Sequence, residues 1–177
     1  MKYYIVALFD DESYKLISPI QKNLSKKYRA NRNSPQPYII LGALENPSIE
    51  KLNPVLEKLI KPYKKFKVEL CNNISLSETT RTVNLKIEHM GYIKKLARVI
   101  NETLKLHGFN VLNNDDDELA ISLANLNYFN KDKKVNNNIV YEPNKNCTTL
   151  KVDRFEIWKI SNSRRETLIK SYELREF

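Results

Sequence analysis

The chain has 177 residues, with 30 Lys and Arg against 21 Asp and Glu, so its formal net charge is +9. This length allows one domain to bury its own core, and ten Tyr with six Phe argue against a disordered chain. No apolar run is long enough for a membrane span. The apolar N-terminal stretch runs directly into Asp10, Asp11 and Glu12, which favours a first strand over a signal peptide.

The two cysteines, Cys71 and Cys147, stand alone, without a CxxC pair or the Cys/His spacing of zinc sites. We therefore predict no disulfide scaffold, no bound metal and no cofactor. The expected compartment is the reducing cytoplasm. Because no shift in composition marks a boundary, residues 1–177 are predicted to form a single domain.

Apolar periodicity predicts strands that alternate with helices along the chain. Asp10 or Asp11 is the expected cap of the first helix, which Pro19 either kinks or reopens behind a Ser18 cap. Asn46 and the proline after it are expected to begin the second helix. The predicted strands span 3–9, 38–41, 66–70, 83–87, 119–123, 152–160 and 168–174, and the predicted helices carry apolar stripes over 17–28, 49–60 and 93–104.

Two regions between these elements have distinct compositions. The third helix is expected to stop at His107 and Gly108. Residues 130–146 are rich in Asn and Lys and predict a long mobile loop with a small apolar island at 139–141. The last two strands are expected to form a hairpin around 161–163.

A rough two-fold repetition is visible, because each half contains a helix, a loop and a short apolar strand. Residues 37–41 read Pro-Tyr-Ile-Ile-Leu and residues 120–124 read Ala-Ile-Ser-Leu-Ala. On these two segments, and on the layout of nearly the whole chain, the sequence resembles the 2H phosphoesterase superfamily of 2'-5' RNA ligases and cyclic phosphodiesterases. That family has Pro-His-Ile-Thr-Leu and His-Ile-Thr/Ser-Leu-Ala-Arg at the corresponding places.

The chemistry of this family needs two histidines at one phosphate, one to take a proton and one to give it. The hydroxyl two residues after each histidine lies on the same strand face and binds a phosphate oxygen. Here the first motif reads Tyr38 and Ile40, and the second reads Ala120 and Ser122, so only the last hydroxyl remains. The arginine after the second motif is replaced by Asn125.

The two histidines of the chain, His89 and His107, lie near the ends of the third helix and outside both motifs. Tyrosine has a pKa of about 10 and is a poor base near neutral pH, and alanine has no proton to transfer. We therefore expect the phosphodiester chemistry of the family to be absent or very weak. Tyr38 could instead stack on a base or fill the former site.

The resemblance implies an α+β, bilobal fold with two antiparallel sheets and outer helices around a central cleft. The two motif strands are expected to face each other as opposite walls of that cleft. The leading function is a degenerate protein that binds a nucleotide, a cyclic phosphate or an RNA end in the cleft. The expected ligand contacts are Tyr38, Ser122, Asn125 and Arg32.

Two alternatives stay open from the sequence. One is an active cyclic phosphodiesterase or 2'-5' RNA ligase-like enzyme with substituted catalytic groups, Tyr38 and Ser122 acting with a bound water. The other is a protein-interaction module whose cleft has closed. The excess of Lys and Arg suits RNA through phosphate pairing, although any single basic cluster is better explained as solvated surface.

Overall fold

The computed structural model describes residues 1–31, 34–78, 80–112, 119–126, 139–140 and 148–176, with the backbone alone at 71–73 and 139–140. Apolar and polar residues alternate in these ranges with the strand and helix periods that the sequence predicts. The elements are β1 (Lys2–Phe9), α1 (Asp11–Lys27), β2 (Tyr38–Glu45), α2 (Ile49–Ile60), β3 (Phe66–Ser77), β4 (Thr82–Glu88), α3 (Gly91–Leu106), β5 (Val111–Leu112), β6 (Ala120–Asn125), β7 (Ile139–Val140), β8 (Thr148–Ile160) and β9 (Glu166–Glu173).

The strands are paired antiparallel in the order β7-β3-β4-β6-β2-β1-β8-β9, and β5 pairs with the far end of β2. The predicted α+β class, with antiparallel strands and outer helices, is confirmed. The two expected sheets are hydrogen-bonded into one, because β2 pairs with β6 and β8 pairs with β3. The first residues of β3 pair with β8 and its later residues pair with β4, so six strands close into a ring.

Helix α1 begins where its capping residue predicts. The side chain of Asp10 accepts a hydrogen bond of 2.9 Å from the Ser13 backbone N–H, which satisfies a free donor of the first turn. Burial acts to raise the pKa of Asp10, but the hydrogen bonds from Ser13 hold it below its usual value. The helix runs through Pro19 as one element, so a restart capped by Ser18 is wrong.

The second helix begins later than predicted, and the third ends as predicted. The N-cap of α2 is Ser48, not Asn46, whose backbone is left-handed with a φ of 45°. The Asn46 side chain instead accepts a hydrogen bond of 2.7 Å from the amino group of Met1. Helix α3 ends at His107, and Gly108 adopts a φ of 84°, a conformation that glycine tolerates best.

The main core lies where the apolar stripes of the helices meet one face of the sheet. It contains buried residues from all three helices and from most strands, including Ile17, Leu24, Leu52, Leu56, Ile93, Leu96, Ile100, Ile39, Leu41, Ile121 and Leu123. A second, smaller cluster forms around Val6, Leu8, Tyr38 and Trp158. Because successive strand residues point to opposite faces, this smaller cluster lies on the other side of β1 and β2.

Two side chains of α1 fix the strands that carry the motifs. The hydroxyl of Tyr14 donates to the carbonyl of Pro37 at 3.0 Å and accepts from the backbone N–H of Phe9 at 3.2 Å. The Gln21 amide donates to the carbonyl of Leu123 at 2.7 Å. One helix therefore holds the beginning of β2 and the middle of β6. None of the helices in the described ranges has the length and apolar character of a membrane crossing.

Candidate ligand-binding site

The two motif strands are hydrogen-bonded neighbours. Tyr38 of β2 lies opposite Ser122 of β6, and Ile39 lies opposite Ile121. The expectation that the motif strands form opposite walls of a cleft is therefore wrong, because they are adjacent in one sheet. Cross-strand partners project to the same face, and residues two apart share a face, so Tyr38, Ile40, Ala120 and Ser122 all lie on one side of the sheet.

A cavity of about 220 Å³ opens beside these residues. The pairing of β2 with β6 is described only at Tyr38 and Ile39, and β2 pairs further on with β5 at Ala43. The cavity lies where the two strands have separated, with α3 beneath it. Its lining consists of Ile40, Leu41, Gly42, Ala43, Ser77, Thr80, Asn84, Ala97, Asn101, Leu112, Leu119, Ala120 and Ser122.

Tyr38 does not line this cavity but fills the space next to it. Its side chain is 4% exposed, hydrogen-bonds with Ser122 and lies against Trp158, with ring centroids 4.7 Å apart. Burial raises the pKa of the Tyr38 hydroxyl well above its usual range, and the nearby charge of Glu166 raises it further. The sequence leaves two roles open for Tyr38, stacking on a base or filling the former site. In the structure its ring is buried and fills the space, and its hydroxyl keeps its proton near neutral pH.

Trp158 is itself held by a buried carboxylate. Its indole N–H donates to Glu156 at 2.9 Å, and Arg154 donates to the same carboxylate at 3.1 Å through Nε. Arg154 also donates to the carbonyl of Phe9 at 3.0 Å. Because Glu156 is 8% exposed, this pairing offsets the cost of burying its charge. This network holds the Trp158 ring against which Tyr38 packs, while a second cavity borders Tyr38 on the side of Tyr4, Asn125 and Arg164.

A row of uncharged polar side chains continues the site across β4. Asn84 lies opposite Ser122 in the sheet. The hydroxyl of Thr82 donates to the Asn84 side-chain oxygen at 2.8 Å and lies 2.7 Å from the hydroxyl of Thr80. Sequence reasoning missed these residues, although the alternation of β4 already places Thr82 and Asn84 on the face opposite the apolar Val83 and its neighbours.

The remaining predicted contacts are placed less favourably. The amide of Asn125 donates to Glu166 at 3.1 Å, and its backbone N–H donates to the hydroxyl of Ser34 at 2.9 Å. Asn125 therefore helps to anchor the loop before β2 and does not line the cavity. Arg32 lies outside the described residues, as does most of the predicted loop 130–146, of which β7 is described.

Both histidines lie away from the cavity. His107 is exposed at the end of α3, and His89 follows β4 with a φ of 49°. His89 Nε2 lies 3.9 Å from Glu69 Oε2, and together with Glu88 these side chains could hold a metal ion on the surface. Among the cavity-lining residues in the described ranges, none carries an imidazole, an ammonium, a guanidinium or a carboxylate.

This arrangement of strands and helices is similar to that of solved structures. TT0787 of Thermus thermophilus is 15% identical, covers 99% of both chains and superposes with a TM-score of 0.68. E. coli LigT complexed with 3'-AMP is 16% identical, with coverage of 98% of this chain and 97% of LigT and a TM-score of 0.62. LigT complexed with phosphate is 15% identical, with coverage of 99% of this chain and 98% of LigT and a TM-score of 0.59.

At such identities the likeness establishes the fold. The chain therefore has the fold of LigT and TT0787, which agrees with the fold that the sequence resemblance implies. No protein-family model and no curated protein matches the sequence. The motif positions are thus interpreted from their place in this fold.

Proposed function

We propose that this protein is a catalytically degenerate 2H phosphoesterase-like protein that binds a nucleotide, a cyclic phosphate or an RNA end. The ligand would occupy the cavity beside Ala120 and Ser122. The observation that carries the proposal is an open cavity at the motif positions whose described lining contains no group that titrates near neutral pH. Such a cavity can hold a ligand by hydrogen bonds and shape, but it has no proton donor and acceptor pair.

The loss of acid–base groups argues against turnover. A positioned general acid or base contributes about 10²–10⁴ in rate. Ala120 has no proton to give, and the raised pKa of Tyr38 leaves even less of the ionised, proton-accepting form near neutral pH than a free tyrosine has. The alternative of an active enzyme that uses Tyr38 and Ser122 is therefore disfavoured, because neither side chain carries a group that titrates near neutral pH.

The nature of the ligand is argued from fold and charge. E. coli LigT has been crystallised with 3'-AMP, ATP and NADP+. The formal net charge of +9 favours an anionic partner such as a nucleotide or RNA. Ser122 is the one motif residue that keeps a side-chain hydrogen-bonding group in the cavity lining, so we assign it a direct contact with the ligand.

A protein-interaction module is the second candidate. It is favoured by the packing of Tyr38 on Trp158, with Val6 and Leu8, which closes one half of the former site. The half beside Ala120 is nevertheless open, with polar groups on its walls. We therefore rank ligand binding first. On this proposal, the packing around Tyr38 holds the strand beside the cavity in place.

Calorimetric titration and thermal unfolding with 3'-AMP, 2',3'-cyclic AMP, ATP and a short RNA test this proposal. We expect saturable binding, with about 2.7 kcal/mol of added stability at a hundredfold excess over Kd. Ala120→Phe and Ile40→Trp place a ring in the cavity and should each weaken binding at least about tenfold, which is about 1.4 kcal/mol.

Leu168→Phe is the matched control, because Leu168 is 56% exposed on β9 and away from the cavity. It should bind as the unaltered protein does. Circular dichroism establishes that each variant folds, and two independent filling variants guard against the failure of one. If none of these compounds binds, or if folded filling variants bind unchanged, the proposal is wrong.

A further inference from the structure

We infer that the cavity receives the uncharged part of the ligand, the ribose or base of a nucleoside, and that the phosphate stays at the mouth beside Lys86. This inference rests on the proposed function and gives the bound nucleotide an orientation. It reverses what the resemblance implies, in which the phosphate sits at the motif positions. The argument comes from the chemistry of the lining and from the register of β4 with β6.

The described lining supplies hydrogen bonds without charge. Its side-chain polar groups are the hydroxyls of Ser77, Thr80 and Ser122 and the amides of Asn84 and Asn101. Hydroxyls and amides both donate and accept, which matches ribose hydroxyls and base edges. A phosphate in the same place would lose much of its hydration without meeting a cation, which is costly.

The apolar part of the lining also suits a ring. Ile40, Ala120 and Leu119 contribute carbon surface next to the polar row. A volume of about 220 Å³ is many times that of a single buried water, so a ring-sized group fits where one or two waters would not fill the space. Mixed apolar and polar walls of this kind are typical of small-molecule sites.

The register places a cation just outside this lining. Lys86 of β4 lies directly opposite Ala120 of β6, and cross-strand partners project to the same face. Lys86 is exposed and does not belong to the lining residues. Asn84, two residues earlier on the same strand, does line the cavity. A nucleotide with its ring against Asn84 and Ser122 therefore brings its phosphate within reach of Lys86.

Calorimetric titrations with the four nucleosides, their 3'-monophosphates and inorganic phosphate test this orientation. At least one nucleoside should bind within about tenfold of its 3'-monophosphate, and inorganic phosphate alone should give no saturable heat. Lys86→Gln should lower the affinity of that monophosphate to the level of the nucleoside and leave the nucleoside unchanged. In the same variant, the slope of the logarithm of the monophosphate binding constant against the logarithm of the salt concentration should fall by about one.

Lys67→Gln is the matched control, because Lys67 is an exposed lysine of β3 outside the cavity lining. It should leave both affinities unchanged. If inorganic phosphate binds and displaces the monophosphate, or if Lys86→Gln leaves monophosphate binding unchanged, the orientation is wrong while the proposed function stands. If nucleosides and nucleotides all fail to bind, the proposed function fails together with the orientation.

Discussion

Tyr38 stands at the first motif position, where an imidazole would carry out proton transfer. Its ring is instead packed on Trp158, and its hydroxyl is satisfied by Ser122. A buried, hydrogen-bonded phenol stabilises the fold and is a poor proton acceptor. On the proposed function, Tyr38 therefore contributes packing and not proton transfer.

Buried tyrosines should make the protein sensitive to alkaline pH. Burial raises the pKa of Tyr38 and Tyr14, and it raises that of Tyr172 to about 12. Unfolded tyrosine has a pKa of about 10, so above that pH the unfolded state loses protons that the folded state retains. The stabilisation is complete below about pH 10 and is lost as the pH rises toward the folded-state pKa values. Urea unfolding at a series of pH values measures the decline.

Tyr38→Phe separates this effect from general alkaline damage. Near neutral pH the variant should be less stable by about 1 kcal/mol, because Ser122 loses its partner. Its stability should then fall less steeply above about pH 10 than that of the unaltered protein. Tyr92→Phe is the control near neutral pH. Because Tyr92 is 49% exposed, this substitution should lower the free energy of unfolding only slightly. An identical alkaline decline in Tyr38→Phe and the unaltered protein would show that Tyr38 is not protected.

At the residue scale, the sequence resemblance proposes motif positions, but it does not predict their surroundings. Spacing alone predicts that Ala120 and Ser122 share a face, and the structure agrees. Nothing in the sequence indicates that Asn84 lies opposite Ser122, because strand register depends on pairing between distant segments. The burial of Tyr38 likewise follows from its contact with Trp158, which is 120 positions away along the chain.

At the scale of elements, the cavity depends on the close approach of β2 to α3. Asn101 of α3 donates to the carbonyl of Leu41 at 3.1 Å, and its side-chain oxygen is buried without a partner. A Cβ atom added at Gly42 would lie 2.5 Å from that oxygen. Because the Asn101 side chain is held by its bond to Leu41, a Cβ atom at position 42 would push that side chain out of place.

Gly42→Ala should destabilise the protein by about 1–3 kcal/mol, the usual cost of overpacking. The Asn101 side chain must move, and its bond to Leu41 is then lost. A double-mutant cycle with Asn101→Ala measures the coupling between the two positions. The loss of unfolding free energy in the double variant should be smaller than the sum of the two single losses by at least about 0.5 kcal/mol. Urea unfolding provides the four values.

Gly91→Ala is the matched control, because no atom lies within 4 Å of its added Cβ and the residue begins α3. It should leave stability unchanged or raise it by up to about 1 kcal/mol. Strict additivity between positions 42 and 101 would contradict the steric account of this contact.

Periodicity predicted the existence of most elements better than their limits. The helices and the final hairpin are correct because their apolar stripes are long and regular. Strand β3 runs to Ser77 instead of stopping at position 70, because its second half is paired by β4. The two-residue strand β5 was not predicted, since its pairing with β2 leaves little local signal.

At the scale of the whole molecule, one sheet joins the parts that the sequence divides into two lobes. The ring of six strands brings β2 and β6 side by side, although their motifs are separated by eighty-odd positions. The resemblance predicted the fold class because it rests on the layout of strands and helices along nearly the whole chain. It could not predict that the motif strands are neighbours, or that half of the site is closed by aromatic packing.

The central claim is that this fold retains a ligand cavity at the motif positions without the groups for phosphodiester chemistry. A ³¹P NMR time course of 2',3'-cyclic AMP with the protein tests binding and turnover together. The account predicts a saturable change in the cyclic phosphate signal and no monophosphate product. Monophosphate formed by the unaltered protein, and abolished by Ser122→Ala, would contradict the account.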